Sequence, residues 1–182
     1  MGGHSDILAG ALASSEANVN KIVESSINYG GNLSEYTVWL LERSIKTLSL
    51  RVNKQNQNAI HIAEYLKTVG KVKSVFYPGL KSHPDHELSK KQMRGFGGMM
   101  SFELADLNTA ILYTRKLKLV KSAMSLGGVE STLCSPSLTS HSKISKSERE
   151  NLGIFDGLLR FSVGIEDYED IIADLNQAFE KI

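Results

Sequence analysis

One cysteine, Cys134, is all the thiol this chain contains, so no internal disulfide can form and the sequence fits a reducing compartment, the cytoplasm. Charge of one sign is also missing. Twenty-one Lys and Arg residues stand against 20 Asp and Glu, and a net charge of +1 gives no reason to expect nucleic acid or an anionic membrane as a partner. No apolar run approaches the roughly 18 residues that would span a bilayer. The opening residues MGGHSD have neither the basic stretch nor the apolar core of a secretory signal. What is present suits a globular protein: 41% hydrophobic and 23% charged residues, in a chain of 182 residues that is long enough to bury a core.

Periodicity divides the chain near residues 50 to 70. Asp6 to Ala13 reads as a short buried strand, and its open edge would make the isolated chain self-associate. Val19, Ile22, Val23 and Ile27 mark one face of a helix over Glu16 to Ile27. After the turn cluster NYGGNLS, a helical stripe runs from Ser34 to about Thr68, with a bend expected where polar residues crowd at Asn53 to Asn58. Beyond Gly70, strands are expected at Val72–Tyr77, Gly97–Leu104, Leu119–Met124 and Leu158–Ile165. Helices are expected at Pro84–Met93, Asp106–Leu117 and Glu169–Ile182. Glu130 to Ser147, rich in Ser and Thr, reads as irregular. The alternation predicts an α/β sandwich with helices on one face of a mostly antiparallel sheet.

Arg160 stands inside the apolar run Leu158-Leu159-Arg160-Phe161-Ser162-Val163, where alternation places Leu158, Arg160 and Ser162 on one face. A cation there needs an anion, and two parallel N–H groups suit a carboxylate. The pattern leaves two readings open: a fork for a substrate carboxylate, or a structural ion pair with Glu166 or Asp167. Ser125-Leu126-Gly127-Gly128 is a turn whose small residues let backbone N–H groups approach a ligand, although a Gly-Gly turn alone is usually just a loop. Gly3-His4-Ser5-Asp6 is consecutive in one turn and therefore no catalytic triad. His83 and His86 lack the carboxylates or thiols of a zinc site, so no metal is assigned. Cys134, in a Leu-Cys-Ser-Pro loop, has no basic neighbour in sequence to activate it.

Taken together, GHSD at residues 3–6, KSAMSLGGVE at 121–130 and LLRFSVGIED at 158–167 resemble the C-terminal part of the trans-sulfuration family of pyridoxal-phosphate (PLP) enzymes, which covers cystathionine synthases and lyases and methionine lyases. Arg43-Ser44-Ile45-Lys46-Thr47-Leu48 with Arg51, Tyr77-Pro78-Gly79-Leu80 and Gly95-Phe96-Gly97-Gly98-Met99 match the same family, with Ser44 where glycine is usual. The resemblance implies a fold-type-I PLP enzyme. Residues 1–60 would be the end of the PLP-binding large domain with the start of a bridging helix, and residues 61–182 the small C-terminal α/β domain.

The resemblance also makes Arg160 the carboxylate fork and places Ser125, with Met124 and Leu126 beside it, at the substrate end of the site. It gives Gly3, His4, Ser5 and Asp6 a supporting role under the cofactor. The expected substrates are small sulfur amino acids, and the expected assembly is a homotetramer. In the family the PLP-binding lysine lies in a Ser-x-Thr-Lys-Tyr-x-x-Gly-His-Ser-Asp run. Met1 and Gly2 take the two x positions, so that lysine is expected just before Met1, and these 182 residues alone are expected to be inactive. Two alternatives remain at this point: a non-catalytic interaction module derived from such an enzyme, and a small carboxylate-binding α/β domain.

Overall fold

Four helices begin at a side chain that accepts a backbone N–H otherwise left without a partner: Ser34 from Thr37, Asp106 from Thr109, Ser145 from Glu148 and Asp167 from Glu169. These caps punctuate a computed structural model that describes residues 1–182 and divides them into two units, Met1–Leu48 and Ser49–Ile182.

The first unit holds α1 (Glu16–Tyr29) and α2 (Glu35–Ile45). Ser44 is its only buried residue. Helix α1 forms where the apolar spacing places it, yet Ile22, Val23 and Ile27 are all exposed. Asp6 to Ala13 is not the expected buried strand. It carries no ladder, and Leu8 is 95% exposed. An apolar run becomes a strand only where a neighbouring strand takes its backbone N–H and C=O groups, and these residues have none.

The second unit starts within α3 (Leu48–Thr68), at Ser49. The expected continuous helix is interrupted earlier than its polar stretch suggests, at Lys46–Thr47. There the Ser44 carbonyl accepts both the backbone N–H and the hydroxyl of Thr47, each at 3.3 Å, which tightens the turn. Helix α3 then runs through residues 53–58 unbroken.

After α3 come β1 (Ser74–Phe76), α4 (His86–Gln92), β2 (Met99–Glu103), α5 (Leu107–Lys116), β3 (Lys121–Ser122), β4 (Thr132–Cys134), α6 (Lys146–Asn151), β5 (Leu158–Ser162) and α7 (Tyr168–Phe179). The region from 130 to 147 is thus not wholly irregular, and Cys134 lies in a strand rather than a loop. Leu133, Cys134 and Thr132 are buried against β5, which is enough to hold three residues in a ladder despite weak local propensity. Helix α6 opens on a reciprocal capping box, Ser145 with Glu148.

The sheet order is β1-β2-β5-β4-β3, antiparallel except for the β3–β4 pair. One face packs Met100, Phe102, Leu133, Leu159 and Phe161 into a core shared with Ala59, Ile62 and Leu66 of α3, Tyr113 of α5, and Ile171 and Leu175 of α7. Tyr113 anchors that core, with its ring 6.0 Å from Phe102 and 4.3 Å from Phe179, and burial drives its hydroxyl pKa upward. Register places Phe76, Ser101, Arg160 and Cys134 in one row across four strands on the other face.

Candidate active site

Arg160 lies mid-strand in β5, flanked in register by Ser101 of β2 and Cys134 of β4. Its ion-pair alternative is not realised, because Glu166 is engaged elsewhere and Arg160 forms no salt bridge with Asp167. Instead one guanidinium nitrogen donates to the carbonyls of Met124 (2.6 Å) and Ser125 (3.3 Å). Those two bonds fix the plane of the fork without neutralising it. The Nε atom is buried and donates to no group of the protein. A buried, charged donor without an acceptor is costly, and a carboxylate is the group that removes that cost most fully. The side chain borders an open depression of ≈ 270 Å³ lined by Phe76, Met99, Met100 and Ser101.

The Ser125–Gly128 turn is held at several points. The Ser125 carbonyl also accepts from Thr132 Oγ1 (2.9 Å), and Gly127 N–H donates to Ser162 Oγ (2.8 Å). Gly127 has φ +67°, a left-handed conformation that glycine adopts without strain. Met124 and Leu126 project outward, 65% and 58% exposed.

The loop after β5 is built with equal care. The Glu166 carboxylate accepts the backbone N–H of Ser131 (2.6 Å) and its hydroxyl (2.9 Å), while Ser131 Oγ accepts Gly164 N–H (2.9 Å). Asn58 of α3, fully buried, donates to the carbonyls of Gly164 (3.1 Å) and Glu166 (2.7 Å). A Cβ on Gly164 would collide with the Glu166 carboxylate and the Val129 carbonyl, so only glycine fits there.

Sequence reasoning placed Arg160, Ser125, Met124 and Leu126, and the fold brings all four to one patch. It missed the supports from Asn58, Ser131, Thr132 and Ser162. The crowd of polar residues on α3 was the available signal, since polar side chains inside a helical stripe need partners as much as they suggest a bend.

Gly3 (φ +86°) and Ser5 (φ +57°) give the N-terminal turn its sharpness, and His4 Nδ1 lies 3.2 Å from the Gly2 carbonyl. His4, Arg43, Ser44 and Thr47 line a cavity of ≈ 200 Å³ within the first unit. His86 stacks on Phe96 at 5.3 Å and its Nδ1 lies 2.8 Å from the Pro78 carbonyl, while His141 meets the Ser140 hydroxyl at 2.8 Å. The cationic fork of Arg160 with its orphaned Nε suits the carboxylate of an amino acid, as a PLP enzyme acting on amino acids requires.

Comparison with known proteins agrees with this arrangement. The family model described as Cys/Met metabolism PLP-dependent enzyme matches residues 1–180. The chain is similar to cystathionine beta-lyase of Lactococcus lactis subsp. cremoris (strain MG1363), 45% identical over 186 residues that cover 100% of this chain and 48% of that protein. It is equally similar to the chloroplastic cystathionine gamma-synthase 1 of Arabidopsis thaliana, 45% identical over 183 residues covering 100% of this chain and 32% of that protein. Among solved structures, cystathionine gamma-lyase from Lactobacillus plantarum complexed with L-serine superposes with a TM-score of 0.92 at 38% identity, covering 100% of this chain and 48% of that one. The chain therefore spans about half the length of the bacterial relatives and a third of the plant one. The structural likeness bears out the α/β reading of a fold-type-I PLP enzyme. On the match over residues 1–180, the chain belongs to the Cys/Met metabolism PLP-dependent enzyme family.

Proposed function

We propose that this chain supplies the substrate-carboxylate half of a PLP-dependent enzyme that cleaves or replaces the carbon–sulfur portion of small sulfur amino acids. The observation that carries the reading is Arg160: anchored on two carbonyls, with a buried unpartnered Nε, beside an open depression. When bound, PLP supplies an electron sink that lets a bond at the substrate Cα break. Arg160 donates to the substrate carboxylate and so fixes the angle of the Cα substituents. The Ser125–Gly128 turn borders the substrate, with Met124 and Leu126 presenting apolar surface to its side chain. Gly3, His4, Ser5 and Asp6 shape the floor under the cofactor. In this reading residues 1–60 belong to the end of the large domain and 61–182 to the small domain. The complete enzyme is a cytoplasmic homotetramer, and the lysine that holds the cofactor lies outside residues 1–182.

The first test is the transcript upstream of the Met1 codon. In-frame codons for Ser-x-Thr-Lys-Tyr support the reading, and activity is then measured on that longer protein. There, Arg160→Met removes two charge-assisted hydrogen bonds and lowers kcat/KM by roughly 10²–10⁴-fold. An unchanged kcat/KM removes Arg160 from the role. A stop codon favours the second reading, a non-catalytic module. The exposed Ile22, Val23, Ile27, Val38 and Trp39 of α1 and α2 are the observation behind it. Turnover of cystathionine by residues 1–182 alone would overturn the expected inactivity.

A further inference from the structure

Helix α3 carries four side-chain amides in a row, Gln55 to Asn58, and three of them reach loops more than 40 residues away. Asn56 Oδ1 accepts Gly97 N–H at 2.7 Å, Asn58 holds the Gly164 and Glu166 carbonyls, and Gln55 Nε2 donates to the Gly128 carbonyl at 2.7 Å. Gln55 is 7% exposed and packs against Gly98, where an added Cβ would lie 3.1 Å from Gln55 Cβ. Arg160, Thr132 and Ser162, all on the sheet, also bond the 124–128 turn and grip residues 124, 125 and 127. Gln55 grips its far end from a separate element.

We propose that Gln55 is a positioning residue that sets substrate preference by fixing the turn bearing Met124 and Leu126 and, with it, the carbonyls that orient Arg160. This rests on the proposed function only for its effect on substrate; its effect on the turn does not. Without the Gln55 donor, the Gly128 end of the turn loses its tie to α3 and the turn opens from Ser162 more often. Met124 and Leu126, being exposed, then sample several positions beside Arg160. Amide hydrogens report the change, because the Gly127 N–H is protected only while the turn stays closed on Ser162.

The experiment uses residues 1–182 with Gln55→Met, which keeps volume and removes the donor, and Gln55→Glu, which keeps shape. Protection at Gly127 falls about tenfold in Gln55→Met, the effect of one lost hydrogen bond, with Phe102 and Phe161 unchanged. In Gln55→Glu protection is low near pH 7.5 and recovers at about pH 5, where the protonated carboxyl again donates to Gly128. That recovery separates a hydrogen-bond role from simple packing. Equal protection in wild type and both variants overturns the proposal, as does a Gln55→Glu loss that no pH restores. If Gln55→Met fails to fold, Gln55→Glu across the same pH range decides alone. In the longer active protein, Gln55→Met raises KM for the amino-acid substrate about tenfold with kcat within twofold. An unchanged KM overturns the link to substrate. An inactive wild type refutes the proposed function and leaves the exchange result standing.

Discussion

Asp174→Ala is the substitution whose cost follows most directly from geometry. Asp174 lies on α7, 6% exposed, and its carboxylate accepts the backbone N–H groups of Lys118, Leu119 and Val120, each at 2.9 Å. One side chain thus satisfies three consecutive donors at the start of the segment that leads into β3. Alanine leaves all three without an acceptor. The Val120 N–H is buried and bears the full penalty of an unsatisfied donor, about 2 kcal/mol, while the other two are partly reachable by water and lose about half as much each. The expected loss is about 4 kcal/mol, at the upper end of what single substitutions produce. Asp174→Asn keeps one acceptor oxygen and loses the charge, so it should lose about half of that. Asp170→Ala, exposed on the same helix, is the control and should stay within about 0.5 kcal/mol, since only a first-turn charge is lost. Urea unfolding followed by circular dichroism gives all three values. An Asp174→Ala loss under 1 kcal/mol would mean that water replaces the carboxylate and that the three bonds are not a structural pin.

Gly164→Ala forces a methyl group into the Glu166 carboxylate and the Val129 carbonyl; overpacking there should cost about 3 kcal/mol, and a variant as stable as wild type would show the loop to be pliable. Acid should loosen the region from α6 to β5. Hydrogen bonding from Lys146, then Arg149, holds the Asp156 carboxyl below its ordinary 3.8, and Ser145 holds Glu148 below 4.5. Depressed folded values mean that the stability these groups confer is present above those pH values and is lost as pH falls below them. An acid titration of stability should show that loss, and Asp156→Asn should flatten it; an unaltered acid limb would remove the explanation. Met124→Glu, in the active protein, adds an acceptor for a distal ammonium and should shift preference from methionine toward cystathionine, which ratios of kcat/KM would register. Unchanged ratios would remove Met124 from specificity.

Elements with a strong local code were legible from sequence. Asp106 as the cap of α5, the alternation in β5 and the stripe of α7 need only near neighbours to be read. Thr132–Cys134 was not legible because three residues inside a Ser- and Thr-rich stretch become a strand only through β5, whose paired residues lie 26 to 30 positions away in sequence. Asp6–Ala13 failed the other way: its apolar run is real, but nothing pairs with it. At the site, Arg160 announced itself as a cation among apolar neighbours. Its partners did not, since backbone carbonyls of Met124 and Ser125 carry no sequence signal at all. The α3 residues were visible as polar and were assigned the wrong consequence, because a bent helix and a helix that clamps distant loops share one composition.

The single parallel pair in the sheet bears on how such a protein diversifies. Because β3 and β4 run the same way, the chain between them must travel back along the sheet, and residues 123–131 make that return. Only the ends of the return, Ala123 through its N–H and Ser131 through its carbonyl, bond into the β3–β4 pair, while Met124 and Leu126 between them pair with no strand. Under the proposed function, variation at 124 and 126 alters which side chain a substrate meets while leaving strand pairing untouched. Within one return, then, the exposed side chains at 124 and 126 are free to vary while Gly127, Gly128 and Ser131 hold the loop in place.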